Sequence, residues 1–202
     1  YPTLLKNDGA RHLIVGGIHL GKLIDGESDG QPDATATGDD LRDLNDDDGV
    51  VFSDLIVGES ATVEVTASVA GALNAWIDWN ADGRWDGAGE HVFVDTPLVA
   101  GVNALTLDVP AKAVSGATFA RFRFSTMRGL RVTGPASDGE VEDYMVWIEE
   151  SIFPSPAPAD HLKWSQPPLE WDPLAGVPVY CGWDELSYAS KPLNVAQGSW
   201  KI

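Results

Sequence analysis

Cysteine is nearly missing from this chain. Cys181 is the only one in 202 residues, so no disulfide can form within it. Bases are scarce as well, 13 Lys and Arg against 31 Asp and Glu, which gives a formal net charge of −18. A field of that sign repels phosphate, so it argues against nucleic acid and anionic membranes as partners and favours cations. No apolar run reaches the roughly 18 residues of a spanning helix, so no membrane insertion is expected. The four histidines, His12, His19, His91 and His161, show no H-x-H or H-E-x-x-H spacing. His12 and His19 are therefore read as structural. There is no G-x-S-x-G, no P-loop and no Cys–His pair in a recognisable context. Paired carboxylates abound, but they sit in Asx-Gly loops, which suits metal ligation better than glycoside hydrolysis. The chain is expected to be non-catalytic.

Helical periodicity is almost missing too, and short strand signals fill its place. Leu13–Leu20 is an apolar stretch broken by Gly16 and Gly17. Thr62–Val69 alternates, with Val63, Val65, Ala67 and Val69 on one face. Asn74–Trp79, His91–Val94, Asn103–Val109, Thr118–Ser125 and Val141–Ile148 follow, separated by Gly-, Asp- and Pro-rich turns. The pattern predicts an all-β fold, an antiparallel two-sheet β-sandwich, over residues 1–150. Residues 151–159, with Phe153-Pro154-Ser155-Pro156, read as a stiff Pro-rich linker. Residues 160–202 read as an extended docking tail rich in Trp, too short for a core of its own. Its aromatics Trp164, Trp171, Tyr180, Trp183, Tyr188 and Trp200 are residue types that anchor interfaces, so the tail is expected to mediate assembly.

The sharpest motif is Asp78-Trp79-Asn80-Ala81-Asp82-Gly83-Arg84-Trp85-Asp86, which follows D-x-N-x-D-G-x-x-D. Oxygens at the first, third and fifth positions converge on a hard cation at about 2.3–2.6 Å, and glycine at the sixth permits the sharp turn. Arg84 would ligate through its carbonyl. The twelfth position is Gly89, with Glu90 one residue later, and a strand precedes the motif, so a calcium loop outside the EF-hand is expected. The competing reading is an Asx-rich turn. Ten acids crowd Asp25–Asp48 with Arg42 as the only base. In this stretch Asp39, Asp40, Asp43, Asn45 and Asp47 form a second candidate calcium cluster, and Asp25, Glu27 and Asp29 a third. The alternative is a solvated acidic loop. Glu140 and Glu142 share a strand face. They either close a metal site from the 39–48 loop or pair with Arg121 and Arg123. Those two arginines alternate with Phe119, Phe122 and Phe124, which puts both on the less apolar face, and at least one is expected to pair with Glu140, Glu142 or Asp143 across strands, as an exposed pair. Trp76, Trp79 and Trp85 offer a sugar-stacking platform or core packing.

The run Gly139-Glu140-Val141-Glu142-Asp143-Tyr144 resembles the sequence for which the GEVED domain of bacterial secreted and surface proteins is named. The resemblance covers roughly residues 1–150. It includes Asp8-Gly9-Ala10-Arg11-His12, Asp29-Gly30-Gln31-Pro32, Ala36-Thr37-Gly38-Asp39-Asp40, Asp46-Asp47-Asp48-Gly49-Val50, the stretch 74–90 and Ala120-Arg121-Phe122-Arg123-Phe124-Ser125. In the tail, Lys163-Trp164-Ser165-Gln166-Pro167-Pro168 and Gly182-Trp183-Asp184-Glu185 look like the opening of a further extracellular domain, cut short. The resemblance implies an extracellular β-rich module and no established chemistry. A start at Tyr1 suits a mature secreted chain. The expectation is a calcium-stabilised structural module, a filament or surface-layer subunit that joins other copies of itself head-to-tail. The alternative is a carbohydrate-binding module that meets extracellular polysaccharide.

Overall fold

A computed structural model of the chain describes residues 3–22, 24, 36 and 47–151. The chain divides into two units, Tyr1–Ser155 and Pro156–Ile202, and every described strand belongs to the first. The expected tail lies outside the described residues.

The domain is all-β, with one 3₁₀ turn at Leu5–Asn7. The strands are β1 (Arg11–His12), β2 (Val50–Phe52), β3 (Leu55–Ile56), β4 (Ser60–Ala67), β5 (Gly71–Ile77), β6 (His91–Leu98), β7 (Gly101–Asp108), β8 (Gly116–Ser125), β9 (Pro135–Ala136) and β10 (Glu140–Glu149). One sheet runs β3-β10-β8-β5-β6, a second runs β2-β4-β7, and β1 pairs with β9 alone. The expectation of purely antiparallel sheets needs correction, since β1 with β9 and β3 with β10 are parallel. Each of these pairings spans two residues, too few for any alternation to announce them. Leu13–Leu20 is not a strand either. A turn at Gly16–Gly17, closed by Ile18 N–H on Val15 O at 3.0 Å, leaves Leu13, Ile14 and Val15 exposed, and only Leu20 bridges to Ala67.

The core follows from period-two patterning. Ala61, Val63, Val65 and Ala67 of β4 bury one face of the small sheet. Leu73, Ala75 and Ile77 of β5, Ala120, Phe122 and Phe124 of β8, and Val146 and Ile148 of β10 meet them in one cluster. Phe52, Phe122 and Tyr144 pack edge-to-face there, with centroids 5.6–6.0 Å apart. The large sheet is covered on both faces. Ala72, Asn74 and Trp76 alternate with the core residues of β5 and are buried as well, as are Arg121 and Arg123 of β8. That second buried face is polar.

Candidate functional site

The motif at 78–90 is the loop that joins β5 to β6. Asp78 is buried, and its two carboxylate oxygens accept the amides of Asp82 at 3.2 Å and Gly83 at 2.8 Å. Asn80 Oδ1 accepts the Asp82 amide at 3.0 Å, and Asp82 Oδ1 accepts that of Arg84 at 2.9 Å. These are nested Asx turns, the local geometry that the D-x-N-x-D spacing favours. Gly83 stands at φ +79, where a side chain is disfavoured. The loop is stapled at both flanks by indole N–H groups, Trp79 on Gly89 O and Trp85 on Phe119 O, each at 3.2 Å. Glu90 folds back into the loop, 1 % exposed, and accepts the Gly87 amide at 2.7 Å. Burial pushes its carboxyl above the usual range, and the charges of Asp78, Asp82 and Asp86 add to the push. Arg84 stands 4.0 Å from Asp86 with both exposed. Among the described residues no three His, Cys, Asp or Glu side chains are already gathered into a metal-holding group.

Glu140 and Glu142 turn away from the arginines. They share the core face of β10 with Tyr144 and sit opposite Phe124 and Phe122. Glu140 accepts the Leu20 amide at 2.7 Å, and Glu142 accepts the Gly49 amide at 3.0 Å and the Tyr144 hydroxyl at 2.9 Å. The expected pairing of these two acids with Arg121 or Arg123 is therefore overturned. Strand parity puts acids and bases on opposite faces, and the pair falls to Asp143. What Glu140 and Glu142 hold instead is the mouth of the acidic stretch. Lys22 N–H donates to Asp48 Oδ1 at 2.8 Å, and the Gly21 and Gly49 segments both bond Thr66, so residues 20–22 and 47–49 lie side by side. Asp47 is close enough for its charge to raise the Tyr144 phenol, after burial and Glu142. Asp25, Glu27, Asp29, Asp39, Asp40, Asp43 and Asn45 lie outside the described residues, as do Trp164, Trp171, Tyr180, Trp183, Tyr188 and Trp200.

On the polar face one row crosses four strands, Asp143, Arg121, Trp76 and His91. Asp143 takes Arg121 Nε–H and Nη2–H in a bidentate pair, both at 2.7 Å, while the guanidinium lies 4.5 Å over the Trp85 ring. His91 stacks on Trp76 at 4.3 Å. Cross-strand pairing of one arginine with Asp143 is as the sequence predicts, but the pair is not exposed: Arg121 is buried under Trp85 and the 126–139 loop, and Asp143 is part-buried. Burial of Trp76, Trp79 and Trp85 removes the sugar-stacking platform. The exposed tryptophan of the described residues is Trp147, on the outer side of β10.

Sequence reasoning missed the neighbouring network. Arg123 is fully buried, and its donors reach the carbonyls of Arg131 (2.6 Å), Thr133 (3.0 Å), Gly134 (2.9 Å) and Arg11 (3.3 Å), and His12 Nε2 (3.0 Å). His12 Nδ1–H in turn donates to Asp138 O at 2.6 Å. Asp138 caps the same corner through Ser125 Oγ and Thr126 Oγ1. Burial works against that carboxylate, yet these hydrogen bonds hold it below its usual range. Burial, with Arg121 beside it, lowers Arg123 to about 10. No spacing rule signals a cation held by loop carbonyls.

His12 must be neutral for Nε2 to accept from Arg123. Burial and the Arg123 charge lower it from 6.5 to about 4. The unfolded chain takes up this proton below about pH 6.5 and the folded chain does not until about 4, so stability is lost as pH falls through that window, by about 3 kcal/mol at most. His12→Gln is expected to melt with a smaller drop between pH 6.5 and 4.5 than the parent. Equal drops would show that His12 does not titrate this way.

Comparison with known proteins matches residues 72–147 to the model of one family, described as the GEVED domain. No curated protein and no solved structure matches the chain. Among the described residues no helix is long and apolar enough to cross a membrane.

Proposed function

Residues 72–147 of this chain are a GEVED domain, and from that premise we propose a non-catalytic structural or assembly module at the cell exterior, with calcium ordering its loops. The observation that carries the reading is the 78–90 loop. The charges of Asp78, Asp82 and Asp86 all bear on Glu90, and Arg84 sits on the outside against Asp86. Hard oxygen donors in an Asx-Gly loop suit calcium in type and charge. Asp78, Asn80, Asp82, Asp86 and Glu90 would hold it, with the Arg84 carbonyl. Secretion follows the family resemblance, and since a single cysteine allows no intrachain disulfide, bound calcium would serve as the staple.

Calcium that binds only the folded chain stabilises it by about 2.7 kcal/mol at roughly 100 times Kd. Chelator is expected to lower the melting temperature accordingly. Glu90→Gln separates this from a generic salt effect. The raised Glu90 pKa means that the folded chain still holds a proton the unfolded chain has released above about 4.5, so ionised Glu90 weighs against folding as pH rises past that value. Without calcium the variant should melt no lower than the parent, and with calcium it should gain less. A parent melting curve that ignores chelator sinks the calcium reading.

Assembly is assigned to the tail. Deletion of residues 160–202 is expected to leave the melting transition in place and to abolish head-to-tail growth into larger assemblies. A full-length chain that stays monomeric at high concentration in calcium removes that half of the proposal.

A further inference from the structure

A sheet edge presents unpaired N–H and C=O groups, and folded proteins blunt it with short strands, bulges, proline or charge. Three of the four outer strands of the two sheets are blunted here. β2 has three residues and β3 two. β6 carries a register shift opposite Leu73–Trp76, Asp95 at φ +47, and Pro97. β7 has none of these devices. Its eight residues pair with β4 in unbroken register, and among the described residues no strand lies on its other side. From Gly101 to Leu107 it bears no charge, although the chain as a whole carries −18. Its one acid, Asp108, is bonded by Ser60 Oγ at 2.6 Å.

Register tells which backbone groups are free. Val109 N–H donates to Glu59 O at 2.8 Å, so the odd-numbered residues of this segment bond toward β4. The even-numbered residues of β4 bond the other way, Thr62 O to Ser53 N–H and Thr66 O to Gly21 N–H, each at 2.9 Å. Val102, Ala104 and Thr106 therefore aim their N–H and C=O groups out of the sheet, and their side chains lie exposed on its outer face.

We propose that β7 is the edge through which two copies of this chain pair, antiparallel about a two-fold axis at Ala104, so that their small sheets become one. In this register Ala104 faces the second copy's Ala104, and Val102 faces the second copy's Thr106 in both directions. Each pair exchanges two backbone hydrogen bonds. The β-branched side chains meet across the seam, a favourable cross-strand combination. Asp108 falls opposite Ala100, so no two acids meet, which matters for two chains that repel each other everywhere else. The contact is isologous and closes at two copies. It is thus separate from head-to-tail assembly through the tail and does not depend on calcium.

Sedimentation of the full chain over a range of concentrations tests it, with a monomer–dimer step expected in calcium and in chelator alike, beneath any larger head-to-tail species that the tail adds. Ala104→Pro deletes an N–H that points out of the sheet and leaves the ladder to β4 intact. It is expected to weaken the dimer about tenfold or more at an unchanged fold by circular dichroism. Two charge variants check the register and do not rely on proline. Val102→Lys with Thr106→Asp places opposite charges face to face and should keep the dimer, whereas Val102→Asp with Thr106→Asp should abolish it. A chain that is monomeric throughout overturns the proposal. So does association indifferent to Ala104→Pro, or equal behaviour of the two charge variants, since either places the contact elsewhere.

Discussion

Asp143→Ala is expected to destabilise the domain by about 3 kcal/mol, the order of cost of leaving a buried cation without its counter-charge. The reason lies in where Arg121 sits. Its side chain is 1 % exposed, Trp85 lies over its guanidinium, and its Nη1–H donates to Val132 O at 2.9 Å. A guanidinium so placed is shut off from water, so removal of both short bonds to Asp143 takes away its bidentate counter-charge where solvent cannot replace it. A loss of that size is a large share of the roughly 5–15 kcal/mol that holds a domain folded. Replacing both partners tests the cause. Arg121→Met with Asp143→Leu removes charge and counter-charge together and should cost clearly less than Asp143→Ala alone. Urea titration of the three proteins decides, and a double variant as unstable as the single would mean that packing, not charge, dominates here.

That pair also shows what the sequence could and could not convey. Alternation in Thr118–Ser125 placed Arg121 and Arg123 together, opposite Phe122 and Phe124, and the register bears this out. Of the three acids it offered as partners the fold selects Asp143, because Glu140 and Glu142 differ from it by one residue and therefore by one face. Alternation also implied that the arginine side of the sheet meets water. It does not, because the 126–139 loop folds over it and supplies carbonyls to Arg123. Loop paths obey no period, so a face covered by a loop looks exposed in a sequence. The same blindness applies to Trp76 and Trp85, whose burial on that face could not be told from a display of rings to solvent.

The 78–90 loop was more legible, since turn chemistry is local. Asp, Asn and Gly at fixed offsets dictate which amides each side chain can cap, and Asp78, Asn80 and Asp82 do cap amides two to five residues ahead. Glu90 at the thirteenth position is brought back by the turn at Gly87–Gly89, with Gly89 at φ +85. Glu140 and Glu142 belong to the opposite case. Their contacts with Leu20 and Gly49 join segments far apart in the chain, and only the fold reveals that the acids of the family motif clamp the two ends of the acidic stretch.

Gly139→Ala is expected to cost about 4 kcal/mol or more and to be the most damaging single methyl in the motif. Gly139 lies at φ +84, and a Cβ built there would stand 1.9 Å from Phe124 O, a backbone atom that cannot swing aside. To make room, the start of β10 must move away from the end of β8. The pairing of Glu140 with Phe124 would then be lost, along with the Asp138 bonds to Ser125 and Thr126, and the Leu20 amide would lose Glu140. Gly129→Ala is the matching control. It has nearly the same backbone angle, φ +78, and nothing lies within 4 Å of where the new methyl would stand, so it should cost only the left-handed strain of about 1–2 kcal/mol. Denaturant titration of both variants separates contact from conformation. Similar losses at the two positions would mean that the approach of Gly139 to Phe124 relaxes freely, and that the motif opens with glycine for its backbone angle alone.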